Sequence, residues 1–546
     1  MVDSVFERKV NNPRFQSQEA FNLAAIDIGT NSIHMVVVRI EPTLPAFTII
    51  AREKDTVRLG DRDPDTKNLT PEAMKRALAS LQRCHDLAVS FQAEEIVAVA
   101  TSAMREAPNG QAFLQQIESE VGISVNLISG QEEARRIYLG VLSCMDFQNQ
   151  PHVIIDIGGG STEIILADSD RPRFLSSTKV GAVRLTQEFV TTDPINTSEL
   201  NILQAYVRGM LERPVEELRS TLKPSDRLNL IGTSGTIKTI ATIHALANHG
   251  SEPNPLQGYE FSREDLEDLI EHLASLNYEE RAEVPGMDSK RAEIIVPGAI
   301  ILLEAMQMLD LKSLVVCERA LREGAIVDWM LAHGLIEDRL QYQGEVRQRS
   351  IIKIARKYQV NMDYGDRVAR FAVSLFDQLQ GKLHEWGDSE REILGVAGVL
   401  HNSGLFISHS SHHKHSYYLI RHAELLGFTE LEIELIANIA RYHRKSKPKK
   451  KHDNYSNLTK TQRQIVSETS AMLRLAVALD RRQIGGVKAV QCDYNEGDRE
   501  LTLTLHPTFD NDDCALELWN LAYKKDVFEE EFDVAVIGKV AETVNA

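Results

Sequence analysis

Cysteine is scarce in this sequence, and cationic residues are outnumbered. Five cysteines (Cys84, Cys144, Cys317, Cys492 and Cys514) lie far apart along 546 residues, and no CxxC occurs. The odd count and wide spacing provide no zinc or disulfide framework and fit a reducing compartment. Lys and Arg number 61 against 79 Asp and Glu, a net charge of −18. That balance excludes a general nucleic-acid coat protein, a class that is usually basic. No apolar run approaches the ~18 residues of a membrane span. The opening segment MVDSVFERKVNNPRFQ has no apolar signal core. These absences point to a soluble cytoplasmic protein without a membrane or nucleic-acid partner.

What is present is globular. Hydrophobic residues make up 43% and charged residues 26%, so each domain can bury a core. The length predicts about three or four domains. Residues 1–20 read as a loose tail. Strand-like runs at 23–28, 33–40, 96–100 and 125–128 alternate with helical patterns at 71–91 and 109–120, which argues α/β. A second α/β stretch follows and ends near 335–345. Residues 345–480 are almost continuously helical in period. Beyond them, strand patterns at 487–492, 501–505 and 532–537 surround a helical pattern at 513–523. The predicted division is a tail 1–20, α/β domains 21–142 and 143–338, a helical domain 339–484 and a small α+β domain 485–546.

The two α/β domains share an echo. Residues 24–32 read AAIDIGTNS and residues 154–162 read IIDIGGGST. Each is an apolar run, Asp-Ile-Gly, then small polar residues, with Asp27 and Asp156 in equivalent places. Glycine permits close backbone approach and positive φ, and turn N–H groups form anion-binding concavities. Thr30, Asn31, Ser32, Gly158, Gly159, Gly160, Ser161 and Thr162 are therefore candidate phosphate ligands. An aspartate at a strand end suits Mg²⁺, which takes oxygen ligands. A third element, LIGTSGT at 230–236, is a strand, a glycine turn and a helix start, with Gly232, Ser234 and Gly235 as candidates for anion binding. It is not a Walker loop, because Lys238 does not directly follow a glycine.

These paired motifs, with GTSGTIKTI after them, resemble the actin, sugar-kinase and heat-shock chaperone superfamily. VAVATSAMREAPNG, ISGQEEARRIYLGV and VVCERALREGAIVDWM narrow the resemblance to the exopolyphosphatase / guanosine pentaphosphate phosphohydrolase family. VAGVLHNSGLFISHSSHHKHSYYLI and ANIARYHRK resemble the HD-like third domain of its long members. The resemblance implies two actin-like (ribonuclease H-like) domains, an HD-like helical domain and the small α+β domain. It implies Mg²⁺-dependent, processive removal of terminal phosphate from inorganic polyphosphate, or removal of the 5′-γ-phosphate from pppGpp. Mn²⁺ or a monovalent cation are further cofactor candidates, and a homodimer is implied.

Roles follow from what phosphoanhydride hydrolysis needs: positioning, charge neutralisation and an aimed water. Ser129 and Glu132 fit a capping box, which gives Glu132 a structural task. The resemblance places the general base at Glu133. Glu163, beside the second turn, is expected to bind Mg²⁺ or water with Asp156, and Asp27 joins them as a candidate metal ligand. Arg105 and Arg184 are candidate phosphate clamps, since guanidinium forks match phosphate oxygens. Arg291 and Arg322 match family basic positions, and a pairing of Arg322 with Glu323 is an equal alternative.

In the helical domain the HD pair reads His401-Asn402, the pattern's first histidine is missing, and Asp480 matches its last aspartate. The expectation is a relict fold without a second hydrolase site. The basic run at 441–452 offers Arg444, Lys445, Lys449, Lys450 and Lys451 as a polyphosphate path, or a solvated loop. An ATPase or kinase on the superfamily fold lacks an adenine-pocket signature here. A non-catalytic sensor would require loss of acids that are all present.

Overall fold

β1 (Phe21–Ile28) is apolar along its middle because it is central in its sheet. Leu23 to Ile26 are all buried. It pairs antiparallel with β2 (Ile33–Glu41), which pairs antiparallel with β3 (Ala46–Asp55). On its other side β1 runs parallel to β4 (Ala93–Ala100), followed by β5 (Val125–Leu127). The computed structural model describes residues 19–147, 150–336, 346–510 and 512–541. The chain divides into two compact units at Arg349/Ser350. The expected tail and the expected boundary at 338/339 lie largely outside the described residues.

The second sheet of the first unit repeats the first. It contains β6 (His152–Ile157), β7 (Thr162–Ala167), β8 (Pro172–Thr178), β9 (Asn229–Thr233), β10 (Glu260–Ser262) and β11 (Ser313–Val316). The sheet orders are β3-β2-β1-β4-β5 and β8-β7-β6-β9-β11, with β10 added at the edge. The echo in the sequence is thus one β-hairpin used twice. Asp27 pairs with His34 in the first, and Asp156 with Glu163 in the second. The turns close alike, Gly29 N to Ser32 O at 3.1 Å and Gly158 N to Ser161 O at 2.9 Å.

Helices cover the sheets. Pro71–Ser90 begins where Thr70 accepts from Ala73 N with proline in its first turn. It shares a core of Ala73, Ala77 and Leu81 with Ile26, Ile28 and Phe113. Helix Gly130–Leu142, continuous in sequence with the first sheet, packs on β7 and β8 of the second. Helix Leu321–Ala332, which follows the second sheet, packs on β1. The two helices cross at glycines. A Cβ on Gly140 would lie 2.0 Å from Ala320 O, and one on Gly324 would lie 1.7 Å from Arg136 O. Only backbone fits at this crossing.

Cysteines that are remote in sequence meet here. Cys144 Sγ lies 3.4 Å from Cys317 Sγ, both buried. The expectation that no two cysteines are close therefore holds only along the chain.

The second unit contains helices Met362–Leu379, Asp388–Leu400, His412–Arg421, Glu430–Arg441 and Lys460–Leu479. A three-stranded sheet follows, β12 (Val487–Asn495), β13 (Glu500–Pro507) and β14 (Ala535–Val540), in the order β12-β13-β14. Leu501, Leu503 and Leu505 share one core with Val466 and Leu475 of the helical part. The last strand begins later than its sequence pattern suggests. Helix Asp526–Phe532 runs on to Asp533, which caps it at φ +53°, so Phe532 is helical. Among the described residues, no helix is long and apolar enough to cross a membrane.

Candidate active site

The two hairpin turns face each other across a cavity of about 140 Å³. The first turn contributes Asp27, Thr30, Asn31 and Ser32, and the second Asp156, Gly158, Gly159, Gly160, Ser161 and Glu163. Glu133 enters from the first turn of helix Gly130–Leu142, and Ser234 and Gly235 from the β9-to-helix junction. Arg291 and Arg322 complete the basic side. Most residues singled out from the sequence therefore meet in one place, although they span positions 27 to 322.

The glycines serve close approach. Gly29, Gly158, Gly159 and Gly160 do not adopt left-handed φ, so of the two freedoms glycine offers these turns use close approach. A Cβ on Gly160 would lie 2.5 Å from Ser102 Oγ and 2.8 Å from Thr30 Oγ1, so the second turn presses directly on the first. Thr30 Oγ1 and Ser102 Oγ are themselves 2.9 Å apart. Left-handed backbone appears instead at Ser234, with φ +105°, where it caps the helix by accepting from Ile237 N. This is a strained position for a residue with a Cβ, placed on the cavity wall.

Four carboxyl groups share this pocket. Asp156 is pushed up to about 8 by burial, then by Glu163 and Asp27. Glu163, 1% exposed, is raised to about 7 by burial, although Ser177 donates to it at 2.7 Å. Burial raises Asp27 to about 6, with Arg322 opposing. Glu133 is held well above the ordinary range by burial and by Glu163, while Arg105 draws it down. Glu132, by contrast, is bound to Arg135 and Arg136 at 2.7 and 2.8 Å. Ser129 accepts from Glu132 N, but Glu132's carboxylate goes to these arginines, so half of the expected capping box forms.

Four of the expected phosphate ligands lie outside the cavity lining. Arg105 donates to Ile128 O at 2.8 Å and to Glu133 at 3.3 Å. Arg184 is engaged by Glu106 at 2.7 Å and donates to Gly160 O at 3.0 Å, so it braces the turn from behind. Thr162 is fully buried, its hydroxyl on Val180 O, and Gly232 is interior to β9. Arg291's guanidinium lies over Gly235, in the space a side chain would fill. Arg322 satisfies both alternatives, since it lines the cavity and stands 3.9 Å from Glu323. Sequence reasoning missed His34 and Ser102. The hairpin echo contained a signal for His34, because it aligns with Glu163.

The donor set suits a hard divalent cation. Asp27 Oδ1 is buried and makes no hydrogen bond, and the neighbouring acids are destabilised by one another. Among the described residues, no three His, Cys, Asp or Glu side chains form a ready-made metal nest.

Comparison with known proteins assigns the family. The model of the Ppx/GppA phosphatase family matches residues 36–333, and that of Ppx/GppA phosphatase domain III matches 346–525. The chain belongs to the Ppx/GppA phosphatase family. As a Ppx/GppA phosphatase it is a hydrolase of phosphoanhydride bonds. It is 28% identical over 503 residues to a guanosine-5′-triphosphate,3′-diphosphate pyrophosphatase of Pseudoalteromonas atlantica, covering 91% of this chain and 94% of that one. It is similar to the structure of an exopolyphosphatase from Cytophaga hutchinsonii, with TM-score 0.52 and 28% identity, over 56% of this chain and 98% of that one. An exopolyphosphatase-like protein matches with TM-score 0.51 and 26% identity, over 57% and 98%.

Proposed function

We propose that this Ppx/GppA phosphatase removes terminal phosphate from inorganic polyphosphate in the cavity between its two sheets, which we read as actin-like domains. The observation that carries this reading is the meeting of two phosphate-type turns with the buried acid Glu133 in one small cavity. Backbone N–H groups of both turns and Arg291 and Arg322 hold the terminal phosphoryl. Glu133 takes a proton from water, whose oxygen attacks the terminal phosphorus. The bridging P–O bond breaks, and orthophosphate and a chain one unit shorter leave. A raised pKa suits a base that must also release its proton near neutrality. Asp156, Glu163 and Asp27 are the residues that would hold Mg²⁺, which neutralises phosphate charge.

A second reading is pppGpp 5′-phosphohydrolysis, supported by the name of the relative that spans both units. The similarity to an exopolyphosphatase structure supports polyphosphate, and the phosphatase family match weighs against an ATPase or kinase. Phosphate release from long-chain polyphosphate, pppGpp and ATP with Mg²⁺ tests both. Release from ATP alone overturns the proposal.

In the second unit we read the helical part as a relict HD-type fold. Asp480 is held by Arg367 at 2.7 Å and by Gly485 N, which supports a structural role. The run at 441–452 supplies the polymer path. Arg474 pins its base through the carbonyls of Lys445 and Ser446 at 2.9 Å, while Lys449, Lys450 and Lys451 are exposed. Arg444 is turned to His412 at 3.0 Å, and Lys447 pairs with Glu530. The homodimer belongs to this reading, and sedimentation equilibrium tests it.

A further inference from the structure

His34 and Glu163 hold the same register position in the two hairpins, opposite Asp27 and Asp156. Their hydrogen bonding differs. Glu163 only accepts, taking a hydrogen bond from Ser177 Oγ at 2.7 Å. His34 has one partner on each ring nitrogen. Arg322 Nη1 lies 3.4 Å from His34 Nδ1, and His34 Nε2 lies 2.7 Å from Ser32 Oγ.

A guanidinium carries only donors, so Nδ1 is the acceptor. A neutral imidazole that accepts at Nδ1 keeps its proton on Nε2. Nε2–H therefore donates to Ser32 Oγ, and Ser32's own O–H is free to donate onward. Ser32 lines the cavity. A doubly protonated ring would set an N–H against the guanidinium. Burial, together with Arg322, Lys54 and Arg291, holds the ring down at about 2.

We propose that His34 is a positioning residue for the substrate: the relay from Arg322 through His34 fixes the Ser32 hydroxyl as a donor to a phosphate oxygen. The first hairpin thereby adds a side-chain grip on the anion beside Asp27, while the second sets Glu163 at the matching position. This rests on the phosphoanhydride substrate proposed above, but its test needs no turnover.

The test is calorimetric binding of inorganic tripolyphosphate to the full chain without added divalent cation. Ser32→Ala and His34→Leu should each weaken binding about tenfold, as expected for a lost hydrogen bond to a charged group. The double variant should lose no more than about tenfold, because His34 acts only through Ser32. His34→Gln, whose amide N–H can replace Nε2–H, should stay within about threefold of the parent. Losses that multiply to about a hundredfold in the double variant would overturn the proposal. Full-strength binding by His34→Leu would do the same. If His34→Leu fails to fold, Ser32→Ala decides, and unchanged affinity there refutes the relay. A ¹⁵N spectrum of the imidazole in the parent protein gives an independent readout: the Nε2–H tautomer supports the relay and the Nδ1–H tautomer contradicts it. Should the parent hydrolyse neither polyphosphate nor pppGpp, the substrate reading fails while these binding results still judge the relay.

Discussion

Arg105 places Nη1 3.3 Å from Glu133 Oε2 and is fixed there by a second bond to Ile128 O at 2.8 Å. The contact joins helix Ser102–Glu106 to the first turn of helix Gly130–Leu142. Arg105 thus acts on the buried acid and lowers a pKa that burial raises.

Replacing Glu133 by Gln should therefore lower kcat by about 10²–10⁴-fold, the usual contribution of a general base. KM for polyphosphate should change little. Steady-state phosphate release checks both, and unchanged kcat would remove Glu133 from the mechanism.

Arg105→Met removes the charge that draws Glu133 down. The base must then be deprotonated from a higher pKa, so the acid limb of the kcat/KM profile should move to higher pH. A stationary limb would show that the pair is structural only.

Asp156 carries a folded-state pKa of about 8 against an ordinary 3.8. A raised carboxyl favours folding fully below pH 4 and loses that contribution as pH rises through 8. Asp156→Asn cannot titrate. At pH 8 it should melt roughly 10 °C or more above the parent, on about four pKa units at ~1.4 kcal/mol each and ~2–4 °C per kcal/mol. The advantage should shrink towards pH 4, and activity should be lost. Added Mg²⁺ should stabilise the parent more at pH 8 than at pH 5. Scanning calorimetry across this range reads both effects.

At the helix crossing, Gly324→Ala forces a Cβ against Arg136 O and should cost about 1–3 kcal/mol. Gly209→Ala, in helix Thr197–Ser220 with nothing within 4 Å of the new Cβ, should stabilise by about 0.5–1 kcal/mol. Urea midpoints compare them directly. Equal effects would contradict the packing argument.

Neutralising Lys449, Lys450 and Lys451 to Gln should weaken long-chain polyphosphate binding at low salt and flatten its salt dependence, since exposed charges are screened. Hydrolysis of short chains should be unaffected. Unchanged long-chain affinity would return the run to a solvated loop.

What the sequence determined by itself was local. Asp27-Ile-Gly and Asp156-Ile-Gly announce their turns because a strand end, a glycine and small polar residues dictate a hairpin without outside help. The alternation of strands and helices, and Glu133 as the acid without a local partner, were legible for the same reason. Other features depend on residues far apart in the chain. Arg184 looks like a phosphate clamp until Glu106, remote in sequence, claims it. Glycine at 160 reads as a flexible turn until Thr30 and Ser102 press against it. Cys144 and Cys317 are unrelated until the fold puts them 3.4 Å apart. The strong upward shifts of Asp27, Asp156 and Glu163 arise only when tertiary packing removes water, and at Asp156 also when it brings Glu163 and Asp27 alongside. Composition and motif select the residue types, and desolvation in the closed cavity sets their charge state.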